Sequence, residues 1–188
     1  MYDEAAPRAF GVVVERDRGS LPFALLHGEP LVACAAWALG EAGVQLLDLT
    51  TSYAAVREAG LPLVWHDALC PGAPPDHIAA CVRLAVEREV VVAAVLPVTD
   101  TVKELVEAPG GPVVGVTVDR ESLRHLASPL ALPPRVLEGL DDWPDSDFVR
   151  ALSELRSEHE VSLVEAPATA MRVHDLAGLA RLEALTRR

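Results

Sequence analysis

Aromatic side chains are nearly absent from this chain. Phe, Trp and Tyr make up 4% of its 188 residues, so a core has to be filled by Ala, Val and Leu. Hydrophobic residues still reach 51%, enough for one packed domain over 1–188. Positive charge is also scarce: 16 Lys and Arg stand against 28 Asp and Glu, a net charge of -12. General nucleic-acid binding, which needs a basic surface, is excluded on that ground. A single nucleotide needs only a local cluster of donors and remains possible. The three cysteines, Cys34, Cys70 and Cys81, form no C-x-x-C pair. They read as reduced thiols of a cytoplasmic protein, with no cysteine metal site. No apolar run approaches the ~18 residues of a membrane span. Met1 to Arg8 is too short and polar for a signal or transit peptide. G-x-S-x-G, H-E-x-x-H and P-loop patterns are missing as well.

What is there is an alternation of strands and helices. Phe10 to Val14, Val44 to Leu49 and Leu61 to Trp65 read as strands. Leu31 to Leu39, rich in Ala, reads as a buried helix. After Pro74-Pro75-Asp76, apolar residues recur at Ile78, Cys81, Val82, Ala85 and Val86, the spacing of an amphipathic helix. Val90 to Leu96 is apolar without alternation, as in a strand buried on both faces. Val113 to Val118 and Val161 to Glu165 are further strands. Pro134 to Leu140 is a short helix. Asp147 caps a helix carrying Phe148, Leu152 and Leu155. Asp175 caps a last one with Leu176, Leu179, Leu182 and Leu185 on one face and Arg187 and Arg188 at its end. A short strand is expected at Met171 to Val173. The pattern predicts an α/β fold with a mostly parallel sheet and helices on both faces.

Ligands in such sheets bind beyond the carboxyl ends of the strands. Three polar segments fall there: His66-Asp67-Ala68, Val98 to Lys103, and Met171 to His174. Val98-Thr99-Asp100-Thr101-Val102-Lys103 and Thr117-Val118-Asp119-Arg120 flank a Pro-Gly-Gly-Pro turn at Pro109 to Pro112, giving a two-stranded arm. Thr, Lys and Arg are fitting donors for a small phosphorylated molecule. Asp67 suits Mg²⁺ beside phosphate oxygens, and is equally a favoured turn residue. Asp119-Arg120 is equally a surface ion pair. His125, His159 and His174 have no partner at useful spacing and are assigned no role. After the first strand, a phosphate site calls for a glycine-rich turn whose N–H groups approach the ligand. The turn here is Glu15-Arg16-Asp17-Arg18-Gly19-Ser20, with one glycine and two carboxylates among the arginines.

In order, these motifs resemble the 2-C-methyl-D-erythritol 4-phosphate cytidylyltransferase family. The matching pieces are Phe23-Ala24-Leu25-Leu26 with Pro30-Leu31, His66-Asp67-Ala68 with Pro71, Leu96 to Lys103, Thr117 to Arg120, and Met171 to Leu185. The last looks like the family's I-K-V-T-x-P-E-D-L-x-x-A-E-x-L. The resemblance covers most of the chain and is strongest from Trp65 onward. It implies a Rossmann-like nucleotidyltransferase fold with a projecting arm at about 99–120, and a homodimer built through that arm. It also implies Mg²⁺-dependent attack of methylerythritol phosphate on the α-phosphate of CTP, with pyrophosphate leaving.

Carried across, Asp67 matches the family's metal-proximal aspartate. Thr101 and Arg120 match substrate contacts on the arm beside Asp100, and Arg172 stands where the family has lysine. Gly19, His66 and Asp67 fall on the nucleotide side, with Arg16 and Arg18 as replacement catalytic cations. The departures lie on that same side. The family's A-A-G-x-G-x-R-x-G loop is reduced to Val14 to Gly19, its P-K pair is Pro22-Phe23, and the arginine of H-D-A-x-R-P is Cys70. Losing one preorganised cation costs on the order of 10²–10³-fold in rate. Two readings follow. One is a cytidylyltransferase of isoprenoid biosynthesis. The other is a catalytically inactive homologue that binds a sugar phosphate or a partner protein.

Overall fold

The computed structural model describes residues 9–48 and 50–187. Met1 to Arg8, Leu49 and Arg188, on which parts of the expectations above fall, lie outside them. In chain order the strands are β1 (Ala9–Val14), β2 (Leu25–Leu26), β3 (Glu29–Pro30), β4 (Val44–Leu46), β5 (Leu63–Asp67), β6 (Val91–Pro97), β7 (Val102–Val106), β8 (Val113–Val118), β9 (Arg124–Leu132) and β10 (Val161–Glu165). The helices are α1 (Leu31–Glu41), α2 (Tyr53–Glu58), α3 (Pro75–Arg88), α4 (Pro134–Gly139), α5 (Phe148–Glu158) and α6 (Leu176–Thr186).

A six-stranded sheet runs in the order β10-β6-β9-β5-β1-β4. β1 lies parallel to β4 and β5, and β6 parallel to β10. β9 fills the centre, antiparallel to both β5 and β6. The sheet is therefore mainly parallel, as expected, with one reversed strand that the sequence conceals. Pro129 in mid-segment argues against a strand, because proline cannot donate to the ladder. The structure accommodates it where the β6–β9 register shifts between Ala93 and Val95, a bulge that relieves the ladder.

Both faces of the sheet are covered. Tyr53, Val56, Val136, Leu137, Phe148, Ala151 and Leu155 from α2, α4 and α5 pack on Leu63, Trp65, Val91 and Leu130. On the other face Ala38, Leu39, Ile78 and Val82 from α1 and α3 meet Val44, Val64 and Ala94. The Ala-rich second layer brings α1 and α3 close to the sheet, which is how a core poor in aromatics stays filled. The Asp147 carboxylate accepts from the N–H groups of Val149 and Arg150, and that of Asp175 accepts from Gly178, so both predicted caps are present. The leucine face of α6 is narrower than its three-residue spacing suggests. Leu179 and Leu182 are buried while Leu176 and Leu185 are exposed. At 3.6 residues per turn, nine residues rotate the helix by half a turn, so the two outer leucines point opposite ways. Met171 to Val173 is not a strand but an extended stretch after the 3₁₀ turn Ala168–Ala170.

The arm is an antiparallel pair, β7 with β8. Its apolar side chains face solvent, with Leu105, Val114 and Val116 each more than two-thirds exposed.

One glycine fixes how the chain closes around the site. A Cβ at Gly72, in the loop after β5, would run into the Thr169 carbonyl oxygen and reach Leu182 Cδ1 at 3.0 Å. Backbone cannot yield as a flexible side chain does. Gly72→Ala is expected to lower stability by about 1–3 kcal/mol, read from the midpoint of a urea titration. An unchanged midpoint would mean that the Thr169 turn moves aside.

Candidate functional site

β5 ends on His66 and Asp67, and the next residue is tied to β1 by the bond from Ala68 N to Val14 O at 3.0 Å. The neighbouring carboxyl end, that of β1, leads straight into the Glu15–Ser20 turn. Arg18 is thereby brought back over β5. Its Nε donates to Asp67 Oδ1 at 3.1 Å and its Nη2 to Oδ2 at 3.3 Å. Nη2 also donates to the Ser146 carbonyl at 2.6 Å, and Nη1 to the Arg16 carbonyl at 3.2 Å. Ser146 Oγ in turn donates to Asp17 at 2.9 Å, so the turn is strapped to the segment before α5. Asp17 there takes a positive φ of 62°, a backbone region that Asp tolerates better than most residues.

From the far end of the chain Arg172 reaches the same carboxylate, Nε donating to Asp67 Oδ2 at 2.8 Å. It is aimed by the backbone: Val173 N donates to Leu69 O at 2.7 Å, and Gly72 lets the Thr169 turn close in. Asp67 Oδ1 accepts once more from Leu69 N at 3.0 Å. The Asp67 side chain is 2% exposed, Arg18 7% and Arg172 29%. Two guanidiniums thus share one buried carboxylate, leaving one net positive charge that meets solvent mainly at Arg172.

Behind Asp67 stands a second polar contact. Its N–H donates to Ser128 Oγ at 2.9 Å, and that oxygen is 2.6 Å from His66 Nδ1. His66 is fully buried, and its Nε2 has no hydrogen-bond partner among the described residues. Burial, opposed by the neighbouring Asp67, pushes its pKa down to about 4, so the ring is neutral at pH 7. The sequence sets His66 beside a nucleotide; the structure encloses its ring in the interior, where its contact is with Ser128 and no solvent reaches it.

The remaining candidates separate into two places. Gly19 and Arg16 lie exposed on the turn, Gly19 with a positive φ of 59°. Asp100 and Thr101 are exposed at the base of the arm. Arg120 Nη1 donates to the Thr99 carbonyl at 2.8 Å. These two residues, with Pro97, Val98, Glu121 and Arg124, line an open cavity of about 450 Å³. Phe23 is 61% exposed, outside the core. Cys70 is buried, and burial raises its thiol pKa far above the usual range, so it supplies neither charge nor nucleophile.

Resident Mg²⁺ does not fit the donors present. Both oxygens of Asp67 are taken by guanidinium and amide N–H groups. Among the described residues, no three His, Cys, Asp or Glu side chains gather as a metal-binding group.

Sequence reasoning missed two contributors. Ser128 sits in the strand that Pro129 hides. His174 has no partner at useful spacing in the sequence, yet Arg172 Nη1 is 3.1 Å from its Nδ1. The available signal was the spacing of two along an extended segment, which puts both side chains on one side.

With its Rossmann-like sheet covered on both faces, this architecture superposes over nearly the whole chain on structures of one enzyme family. The 2-C-methyl-D-erythritol 4-phosphate cytidylyltransferase of Thermus thermophilus superposes with a TM-score of 0.68 at 22% identity, covering 96% of this chain and 100% of that one. This chain has the methylerythritol phosphate cytidylyltransferase fold. The 4-diphosphocytidyl-2C-methyl-D-erythritol synthase of Anaerococcus prevotii gives 0.63 at 12% identity, over 97% and 99% of the two chains. In sequence, a bifunctional IspD/IspF enzyme from an Anaeromyxobacter species is 45% identical over 69 residues, 37% of this chain. The chain covers only 17% of that curated relative's length. No family model matches the chain. Among the described residues, no helix of this cytidylyltransferase fold is long and apolar enough to cross a membrane.

Proposed function

We propose that this protein is a cytidylyltransferase that moves CMP from CTP onto 2-C-methyl-D-erythritol 4-phosphate, releasing pyrophosphate and forming 4-diphosphocytidyl-2-C-methyl-D-erythritol for isoprenoid biosynthesis. The observation that carries the reading is the convergence of Arg18 and Arg172 on Asp67 at the carboxyl end of β5. Phosphoryl-group chemistry of this kind asks a protein mainly for positioning and for fixed positive charge. Asp67 holds both guanidiniums at a set spacing. Arg172 offers its outer face to a phosphate, and exposed Arg16 adds a cation on the turn. Asp100, Thr101 and Arg120 at the arm are the polar groups for the polyol phosphate. Magnesium enters this reading as the counter-ion of the triphosphate and not as a resident ion. The exposed Leu105, Val114 and Val116 are what a homodimer through the arm would cover, since a contiguous apolar surface of this kind marks an interaction site.

The test is pyrophosphate release from CTP, methylerythritol phosphate and Mg²⁺, paired with calorimetric titration of each substrate. Release above the buffer rate, with CTP binding in the micromolar-to-millimolar range usual for enzyme substrates, is the expected result. Heat from methylerythritol phosphate alone, with neither CTP binding nor pyrophosphate, would replace the transferase with an inactive sugar-phosphate-binding homologue.

A further inference from the structure

The two oxygens of a carboxylate offer about four lone-pair positions. At Asp67 four N–H donors meet them. Oδ1 accepts from Arg18 Nε at 3.1 Å and from Leu69 N at 3.0 Å, and Oδ2 accepts from Arg18 Nη2 at 3.3 Å and from Arg172 Nε at 2.8 Å. No lone pair is left to face a metal ion. Arg18 is itself held: Nη2 also donates to the Ser146 carbonyl, Nη1 donates to that of Arg16, and the side chain is buried. An ion reaching Asp67 would have to displace this guanidinium into an interior with little water to receive it, and a buried charge stripped of its partner is costly. Mg²⁺ also demands near-octahedral oxygens and usually keeps several of its waters, whereas the Asp67 side chain meets almost no solvent. The carboxylate of Asp17, next in the chain to Arg18, is taken by Ser146 Oγ. Charge points the same way. Asp67, Arg18 and Arg172 sum to one positive unit, which repels a dication and attracts a polyanion.

We infer that Arg18 stands in for a divalent ion: its guanidinium, fixed on Asp67, supplies the positive charge at the end of β5, and the site takes a polyphosphate that carries no metal. Arg18 acts chiefly through its charge, since four of its N–H groups are engaged in the contacts above. A guanidinium suits the task because it stays protonated at any working pH, and in a buried setting its field is weakly screened. The inference deepens the transferase reading. There magnesium arrives with the triphosphate; here the ion is dispensable for binding, because a cation is built into the chain. It rests on that reading only for what is attached to the polyphosphate.

The test is calorimetric titration of the purified full chain with tripolyphosphate, once in EDTA and once in excess Mg²⁺. The unsubstituted protein is expected to bind at least as tightly in EDTA, since Mg²⁺ only cancels charge on the ligand. Arg18→Gln keeps a side-chain amide and loses the charge. It is expected to bind about tenfold or more weakly in EDTA, the effect of one charged interaction. A second measurement needs no change at Arg18. Mn²⁺, which shares the preference of Mg²⁺ for octahedral oxygen, is mixed with the protein alone and read by the EPR signal of the free ion. That signal is expected to stay at its protein-free level at millimolar concentration. Binding of tripolyphosphate only with Mg²⁺, no heat in either buffer, equal affinity in Arg18→Gln, or a loss of the Mn²⁺ signal that Asp67→Asn abolishes, overturns the inference. The transferase reading fails separately: metal-free tripolyphosphate binding without CTP binding or pyrophosphate release sinks that reading and leaves this one standing.

Discussion

Asp67→Ala is expected to lower the unfolding free energy by about 3–5 kcal/mol, the cost of leaving a buried charge without its partner. For a domain of this size that is on the order of 10 °C in melting temperature. Two guanidiniums converge on one carboxylate whose side chain is 2% exposed, and Arg18, at 7%, has little solvent to turn to. Arg172 can turn outward more easily, being 29% exposed, so most of the loss falls on Arg18. The check is a double-mutant cycle in which Arg18 is replaced by Met with and without Asp67→Ala. If the pair carries the loss, the double variant regains much of the stability that Asp67→Ala alone loses, because the orphaned charge is removed along with its partner. A double variant as unstable as the sum of the singles would place the cost in packing around Asp67 instead.

Phe23→Lys is expected to raise pyrophosphate release by on the order of 10²-fold, the typical weight of one preorganised cation on a transferring phosphoryl group. By the resemblance in sequence Phe23 would fall where the family's P-K pair has its lysine, and at 61% exposure it contributes little to the core, so the exchange should not disturb folding. Cys70 gives the contrast. By the same resemblance it would fall where the family has arginine, but it is buried at 1% exposure, with no room for a guanidinium. Cys70→Arg is therefore not an equivalent repair. Pyrophosphate release measured without methylerythritol phosphate would separate true transfer from simple hydrolysis of CTP to CMP. No gain from Phe23→Lys would mean that position 23 lies away from the transferring phosphate, and that Arg16, Arg18 and Arg172 carry the charge without it.

Where the sequence had one structural answer it was readable. Val91–Pro97 is an apolar run that only a sheet interior accommodates, and α3 has one unbroken apolar stripe. The strand β9 was hidden by Pro129, whose lost donor is compensated by a register shift in the partner, a tertiary fact with no local signature. The short helix Tyr53–Glu58 was missed for the opposite reason: six residues offer too little periodicity to detect, and it is fixed by Tyr53 donating to the Leu137 carbonyl at 2.7 Å, far along the chain. At the site, Asp67, Arg18 and Arg172 were identified as types at strand ends. That they share one carboxylate was not legible, because a side chain's partner depends on closures spanning most of the fold.

Those closures give the cluster a topological role. Asp67 is 49 residues from Arg18 and 105 from Arg172, so its bonds join the beginning, middle and end of the chain. Contacts of such separation must bear the entropy of closing long loops before they return any energy. They are therefore among the last to form as the chain organises, after local helices and neighbouring strands have shortened the effective distance. Whatever binds at these arginines is then read only by a fully assembled molecule, and a fragment lacking either end of the chain would present half a site.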